Sequence, residues 1–240
     1  NTVLSPKALN NALKSVDKNT EGVVTIWGGE PLFNGSQLKD IVSYVKSNYP
    51  KAQLEMMVNG SLLSEEWTKF IIDNHITIGI SHDGPGQKYR GVDFLENPAI
   101  CNNIYSLRQE KLFFSFNTVY HRLNNSTRKI LEYFMCKEDE MKVELGVSPR
   151  LIRYINKVSD PFIFKPEDYP IMDADIEYVV SLYLRKLLDN DSKFIRKYLG
   201  YLGRVIDSAI TAVNPDNNFT FDKNPHCGCL GYPHVTITGD

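Results

Sequence analysis

The sequence predicts an α/β protein in which helices pack outside a parallel β-sheet. Apolar residues switch repeatedly between a spacing near 3.6 and a spacing near 2, as expected for alternating helices and strands. The run Val23–Trp27 is β-branched and uncharged, which is typical of a strand buried on both faces. About five βα units follow one another, and right-handed crossovers make such a series either an open parallel sheet or a barrel.

Helices and strands alternate from the start of the chain. Ser5 and Pro6 begin the first helix as an N-cap and a proline at the first helical position, and Ser36 and Ser64 are predicted to cap the next two. Apolar stripes at helical spacing mark five helices, and they include Leu9 and Leu13, Leu38 and Val42, Phe70 and Ile71, Ile100 and Ile104, and Ile130 and Phe134. The predicted strands are 23–27, 54–58, 76–80, 112–120 and 142–147.

The alternation ends after Ser159. Pro161, Pro166 and Pro170 mark an irregular segment, and two helices are then predicted near 174–189 and 192–213 with no strand between them. The apolar stripe of the second helix is interpreted as packing. The pattern therefore predicts an α/β part over 1–160 and a helical extension over 161–224.

Composition excludes several classes of protein. With 42% apolar and 23% charged residues, the 240-residue chain is ordinary for a globular protein of one or two domains. A net charge of −2 provides no general attraction to nucleic acid or to anionic lipid, so neither partner is expected. The chain has no apolar run of the roughly 20 residues a membrane helix needs, and its first residues do not resemble an export signal, so neither a membrane helix nor export is expected. Its four cysteines do not form a disulfide framework, and a cytoplasmic protein is expected.

Glycine and polar residues follow the predicted strands at one end of the sheet. In parallel α/β folds the ligand site lies at the carboxyl ends of the strands. Those ends carry Gly28-Gly29-Glu30-Pro31, Asn59-Gly60, Ser81–Pro85 and Asn117. Two glycines let a ligand approach the backbone closely, and a carboxylate beside them can pair with an ammonium group. Because a tight turn uses the same residue types, composition alone leaves both interpretations open.

Three of these segments resemble motifs of the radical S-adenosylmethionine (SAM) enzymes, in the same order and spacing. Gly28-Gly29-Glu30-Pro31 resembles their GGEP motif, Val58-Asn59-Gly60 resembles TNG, and Ser81–Pro85 resembles SxDGP. The resemblance covers residues 1–160 and implies a partial (β/α)6 barrel that is incomplete at its N-terminus. It also implies reductive cleavage of SAM to a 5′-deoxyadenosyl radical, which abstracts hydrogen from a substrate. Flavodoxin or ferredoxin would be the electron donor.

The resemblance also implies the residues that hold SAM. They are Gly28, Gly29, Glu30, Pro31, Asn59, Ser81, Arg90 and Asn117. The Gly-Gly-Glu segment would hold the amino group of SAM, Ser81 its ribose or carboxylate, and the two asparagines would line the adenosyl pocket. Arg90 would pair with the carboxylate of SAM. The His-Asp that usually precedes this arginine is absent, so a surface arginine is the alternative interpretation.

The cysteines depart from the pattern of these enzymes, whose [4Fe-4S] cluster is held by a CxxxCxxC loop after the first strand. None of Cys101, Cys136, Cys227 and Cys229 has this spacing. Cys101 and Cys136 lie among apolar helix residues and are interpreted as small core residues. Because the chain opens with the helix that normally follows the cluster loop, we expect a piece of a longer enzyme, inactive alone. A cluster-less remnant that binds SAM or a peptide is the alternative.

Residues 225–240 resemble the entry to a SPASM domain, which binds auxiliary [4Fe-4S] clusters in peptide-modifying radical SAM enzymes, and the resemblance implies that a third domain starts here. Cys227 and Cys229 both have the expected interval to Gly239, so one of them is the candidate cluster ligand. The substrate implied is therefore a peptide or protein side chain. The alternatives are ordinary thiols in a loop, or a zinc site with His226 and His234 that lacks the zinc-finger spacing. An unrelated barrel enzyme with a phosphate bound at the Gly-Gly turn is a further alternative.

Overall fold

Helices and strands alternate along the chain up to residue 151, as the sequence predicts. The computed structural model describes residues 6–13, 16–19, 21–151, 157–200 and 202. The helices described are α1 (Pro6–Leu13), α2 (Gly35–Asn48), α3 (Glu65–Asp73), α4 (Pro98–Gln109), α5 (Thr127–Met141), α6 (Tyr169–Leu188) and the short α7 (Ser192–Phe194), which continues as the π-helical turn Ile195–Leu199. The strands described are β1 (Val23–Ile26), β2 (Gln53–Val58), β3 (Ile76–Ser81), β4 (Phe113–Tyr120) and β5 (Val147–Leu151).

The chain forms two compact units. The described residues of the first are 6–13, 16–19, 21–24 and 34–53, and the second comprises 25–33 and 54–202. In the first unit α2 buries Leu38, Val42 and Val45, and the Tyr49 hydroxyl donates to the Leu13 carbonyl at 2.8 Å. All eight residues that the resemblance assigns to SAM belong to the second unit.

The five strands form one sheet whose order follows the chain, β1-β2-β3-β4-β5, and the last three neighbouring pairs are parallel. One face of this sheet is apolar: Ile80 lies between Val58 and Phe116 in register, and all three are buried. Phe134 of α5 stacks on Phe116 with 4.9 Å between ring centroids. Helix packing on this face supplies the core of the second unit, which confirms the predicted α/β class.

The opposite face, which we call the polar face, carries mainly small and polar residues, which are half-buried except for the buried Gly79. Its rows in register are Glu55–Thr77, Met57–Gly79–Ser115 and Ser81–Asn117–Ser148. Side chains in one row of neighbouring parallel strands lie on the same side of the sheet. Since parallel sheets are usually apolar on both faces, hydroxyl and amide groups in this position favour a binding surface over a packing surface.

Several element boundaries differ from the prediction. Ser64 caps α3 as predicted, since its hydroxyl accepts the Trp67 N–H at 3.2 Å. Ser36 does not cap α2, because the helix already begins at Gly35 after Asn34. The strand predicted over 142–147 lies later in the chain, as β5 over Val147–Leu151. The reason is that α5 extends to Met141 and ends on Lys142 in a left-handed conformation.

Burial of β1 also differs from the prediction. Val23 is 52% exposed, and the strand alternates between exposed and half-buried positions. The reason is its position at the end of the strand order, where one edge has no neighbour among the described strands. The last predicted helix, 192–213, is described only to residue 202, and there Tyr198 and Leu199 are buried as predicted. None of the described helices combines the length and the apolar character needed to cross a bilayer.

Gly60 is the glycine for which we expect substitution to affect folding most clearly. It has a φ of +82°, and a Cβ at this position would lie 2.6 Å from the Phe94 ring and 2.8 Å from Ile80. Gly60→Ala therefore adds overpacking to backbone strain, and we expect a loss of about 2–4 kcal/mol in the free energy of unfolding.

The matched control is Gly29→Ala, because Gly29 also has a positive φ, +56°, but has nothing within 4 Å of a Cβ. We expect this variant to lose only about 1–2 kcal/mol, from backbone strain alone. Urea denaturation measures both changes. Equal losses in the two variants would show that the contact with Phe94 and Ile80 does not matter.

Candidate functional site

Glu30 connects the loops that follow β1 and β2. It comes directly after Gly28 and Gly29, whose φ angles of +111° and +56° are conformations that L-residues rarely adopt. Glu30 Oε2 accepts the Asn59 N–H at 2.6 Å, and Oε1 accepts the Leu32 N–H at 3.1 Å. Burial raises the pKa of the Glu30 carboxyl above its ordinary value, and the two backbone hydrogen bonds oppose this change. Its remaining lone pairs can accept bonds from a cationic ligand.

Asn59 binds Glu30 through its backbone N–H, and its side chain is used within its own turn. Its side-chain Oδ1 accepts the Ser61 N–H at 2.9 Å and the Ser61 hydroxyl at 2.7 Å, which fixes the turn after β2. Pro31 begins the short 3-10 turn Pro31–Phe33 on the other side of Glu30. The two loops are therefore held in place by bonds within the protein.

Ser81 and Asn117 lie side by side at the end of the polar face. They are paired in register on β3 and β4, and both are half-buried. The Asn117 amide approaches the Met57 sulfur at 3.8 Å, and no described group hydrogen-bonds the Ser81 hydroxyl. Both side chains therefore keep hydrogen-bonding capacity for a ligand.

Asp83 is a buried carboxylate that holds Arg90 close to the same strand ends. Its Oδ1 accepts the Val119 N–H of β4 at 2.8 Å and lies 3.4 Å from an Arg90 guanidinium nitrogen. The Arg90 side chain is 37% exposed, so part of its guanidinium can still donate to an anion. We call the strand ends and loops that carry 28–31, 59–60 and 81–85, together with Asn117 beside Ser81 on β4, the C-terminal edge. Arg90 lies in the loop that leaves this edge.

Behind this edge lies a buried network that sequence reasoning missed. The His82 Nδ1 accepts the Gly84 N–H at 3.0 Å, and its Nε2 lies 2.9 Å from Asp93 Oδ1. The other Asp93 oxygen accepts the Tyr133 hydroxyl of α5 at 2.5 Å. Because a backbone N–H donates to Nδ1, we assign the proton of the neutral imidazole to Nε2. The available signal was that His82 continues the buried alternation of Ile78 and Ile80 with a polar residue.

The network shifts two pKa values. Burial would raise the pKa of Asp93, but hydrogen bonds from His82, Tyr133 and the Leu95 N–H lower it to about 2. Burial, together with the bond to Asp93, raises the pKa of Tyr133 far above its ordinary value. Asp93 is therefore an ionised acceptor and Tyr133 a protonated donor at neutral pH.

His121 is a second buried histidine that the sequence did not single out. It follows β4, and its ring contacts those of Tyr89 at 5.9 Å and Phe162 at 5.0 Å between centroids. Its Nδ1 accepts the Leu123 N–H at 3.2 Å. Burial lowers the pKa of His121 below its ordinary value, and Asp83 opposes that change. The ring is therefore a neutral part of an aromatic cluster.

The described cysteines do not form a metal site. Cys101 is half-buried and donates to the Leu95 carbonyl at 3.2 Å, whereas Cys136 is exposed. The core interpretation is wrong for Cys136, because this residue lies on the side of α5 away from the buried Ile130 and Phe134. Over the ranges that the structure describes, no three His, Cys, Asp or Glu side chains could hold a metal ion. The candidate ligands Cys227 and Cys229 lie outside those ranges.

Comparison with curated proteins identifies similar enzymes, although no protein-family model matches the chain. The cysteine-type anaerobic sulfatase-maturating enzyme of Clostridium perfringens strain 13 is 23% identical over 220 residues, covering 85% of this chain and 57% of that enzyme. The enzyme of the same name from Clostridium novyi strain NT is 24% identical over 220 residues, covering 84% and 53%. The radical SAM cyclopropyl synthase TigE of Paramaledivibacter caminithermalis is 23% identical over 133 residues, covering 51% and 28%.

Solved structures give the same likeness at the level of the fold. Native anSMEcpe with bound AdoMet and Kp18Cys peptide matches with a TM-score of 0.56 and 21% identity, covering 78% of this chain and 53% of that one. Native anSMEcpe with bound AdoMet and Cp18Cys peptide matches with a TM-score of 0.54 and 22% identity, covering 78% and 54%. The resemblance to peptide-modifying radical SAM enzymes is therefore confirmed, and the chain spans little more than half the length of the sulfatase-maturating relatives.

Asp93 predicts a pH-dependent stability. Its folded-state pKa of about 2 lies below the ordinary value of 3.8, so the ionised carboxylate stabilises the fold above about pH 4. This contribution is lost as the pH falls from about 4 to about 2. We expect Asp93→Asn to be less stable than wild type at pH 6, by roughly 2 kcal/mol, with the difference disappearing near pH 2.

Urea denaturation between pH 6 and pH 2 measures this dependence. Asp73→Asn is the matched control, because Asp73 forms only an exposed ion pair with Lys69. That variant should follow the wild-type curve closely. If Asp93→Asn loses as much stability on acidification as wild type does, the network does not hold an ionised Asp93.

Proposed function

We propose that this chain, whose curated relatives are radical SAM enzymes of the peptide-modifying type, is the central part of such an enzyme and binds SAM at the C-terminal edge. The single observation that carries the proposal is the set of polar groups at that edge. Glu30 follows β1, Ser81 ends β3 and is paired with Asn117 on β4, and Arg90 lies in the loop after β3, all in the same unit. The polar face runs from this edge along the sheet.

The chemistry of these groups suits SAM. The half-buried carboxylate of Glu30 complements the ammonium of SAM, and the guanidinium of Arg90 complements its carboxylate. Ser81 and Asn117 offer hydrogen bonds to the sugar and the adenosyl group. Nothing lies within 4 Å of a Cβ at Gly28 or Gly29, so the backbone there is open to a ligand. When bound and reduced by one electron, SAM would supply the 5′-deoxyadenosyl radical that abstracts hydrogen.

The residues of this chain do not fit the cluster that such enzymes use. Its four cysteines lack the CxxxCxxC spacing, and the described residues contain no metal-binding group. We therefore assign the radical SAM cluster and the first strand of a partial barrel to a part of the protein outside these 240 residues. The relatives extend well beyond the matched region, which supports this assignment. Flavodoxin or ferredoxin is the proposed electron donor, and Cys227 or Cys229 a proposed ligand of an auxiliary cluster.

We further propose a peptide or protein side chain as the substrate. The curated relatives are a sulfatase-maturating enzyme and a cyclopropyl synthase, and the solved anSMEcpe structures carry bound Cys peptides. The polar face supports such a substrate, since its hydroxyl and amide groups can bind peptide groups without attracting nucleic acid. A non-catalytic protein that binds SAM or a peptide is the second candidate, and the missing cluster spacing favours it.

Glu30→Gln tests the cofactor site. In the complete gene product, reconstituted anaerobically, we expect the Kd for SAM to rise roughly tenfold to a hundredfold, because a hydrogen bond to a charged group contributes about 1.5–3 kcal/mol. Isothermal titration calorimetry measures the affinity. Glu65→Gln, in the exposed first turn of α3, is the control and should leave the Kd unchanged. Unchanged affinity in a folded Glu30→Gln protein would remove Glu30 from the site.

Reductive SAM cleavage separates the two candidate functions. We expect the reconstituted complete gene product to contain at least about four iron atoms per chain, which is enough for the radical SAM cluster. We also expect it to release 5′-deoxyadenosine after addition of dithionite. The 240-residue chain alone should release none, since its cysteines lack the cluster spacing. Chromatography of the reaction products measures both. SAM binding without iron and without 5′-deoxyadenosine in the complete product would support the non-catalytic protein instead.

A further inference from the structure

We propose that His82 is a positioning residue for the C-terminal edge: with its proton on Nε2, it connects the two ends of the loop 84–93 and thereby holds Arg90 beside Asp83. His82 does not touch the ligand in this proposal, because its side chain lies on the apolar face of the sheet. The inference rests on the proposed function for the identity of the ligand, SAM, and on the described contacts for everything else.

His82 occupies a position where the sequence pattern calls for an apolar side chain. Ile78 and Ile80 precede it at alternating positions, and all three side chains are fully buried. A leucine would fill such a position without needing hydrogen-bond partners, whereas a buried imidazole must have them. Both ring nitrogens of His82 have partners. Packing alone therefore does not explain a histidine at this position.

The two partners of the ring lie at opposite ends of one loop. Gly84, at the start, donates its N–H to Nδ1, and Asp93, at the end, accepts from Nε2. Asp93 also accepts the Leu95 N–H at 2.9 Å and the Tyr133 hydroxyl, which fixes it to α5. One imidazole thus holds both ends of the loop against the body of the unit.

Aromatic contacts fix the orientation that these bonds need. The His82 ring stacks on Tyr133 at 5.5 Å with an interplanar angle of 22°. Three further rings contact it edge-on, namely Phe94 at 4.9 Å, Phe116 at 5.8 Å and Phe134 at 5.7 Å between centroids. Because the ring cannot rotate freely among them, its nitrogens point at Gly84 and Asp93.

The loop that His82 holds carries Arg90. Asp83 lies between His82 and Gly84, and its carboxylate binds both the Val119 N–H and Arg90. Gln87 adds a contact within the loop, since its side-chain oxygen accepts the Asp83 N–H at 3.1 Å. Asp83 is also held by β4, so releasing either end of the loop would let Arg90 move away from Asp83 and from the strand ends.

A double-mutant cycle tests this connection. The complete gene product is compared as wild type, His82→Leu, Arg90→Gln and the double variant, with the Kd for SAM measured by calorimetry. We expect each single variant to weaken binding roughly tenfold and the double variant to be little weaker than Arg90→Gln alone, because the two residues act through one loop. Ile78→Ala, a cavity in the same strand, is the control: it should lower stability and leave the Kd unchanged.

Trypsin gives a second readout that does not depend on SAM. Lys88 and Arg90 are exposed cleavage sites in the loop, and His82→Leu should speed cleavage there at least fivefold, while Ile78→Ala should not. His82→Asn keeps an acceptor for the Gly84 N–H and should recover part of the protection.

The outcomes separate this inference from the proposed function. The positioning role is wrong, and the SAM site stands, if His82→Leu and His82→Asn both bind SAM as tightly as wild type does. The same conclusion follows if the losses of affinity in His82→Leu and Arg90→Gln add up in the double variant. Loop cleavage that does not respond to His82→Leu also overturns the positioning role. A wild-type protein that does not bind SAM overturns the proposed function and this inference together.

Discussion

Two carboxylates that accept backbone N–H groups from neighbouring strand ends determine the arrangement of the C-terminal edge. Glu30, after β1, accepts the N–H of Asn59 after β2, and Asp83, after β3, accepts the N–H of Val119 on β4. Each bond is charge-assisted and at least half-buried, so it is stronger than a neutral bond in water. Because the backbone partners are fixed by the sheet, these bonds place a negative charge at a defined position in two separate loops. Arg90 then depends on Asp83 for its own position.

The sheet gives this edge its chemical character. Helices pack on one face and bury an apolar core, while the polar face keeps hydroxyl, amide and carboxylate groups at half-buried positions. A protein that needed only stability would bury apolar side chains on both faces of a parallel sheet.

Much of the fold follows from local sequence patterns, and much of the site does not. The alternating βα elements, the Ser64 cap and the Gly-Gly-Glu turn are set by residues within a few positions of one another, so spacing predicts them. The His82–Asp93–Tyr133 network joins positions 11 and 40 residues apart, and no local pattern indicates those contacts. The predicted start of β5 is also wrong. Val143 and Leu145 alternate with charged residues as in a strand, and the sequence alone does not show that α5 extends to Met141 and ends on Lys142.

The order of the strands affects how the protein can fold during its synthesis. In a sheet whose order follows the chain, each new strand pairs with the strand synthesised just before it, so contacts form between segments close in sequence. Such a topology allows stepwise folding as the polypeptide leaves the ribosome. Asn59, the partner of the Glu30 carboxylate, is synthesised only 29 residues after Glu30. The connection between Glu30 and Asn59 can therefore form before the next strand pair is synthesised.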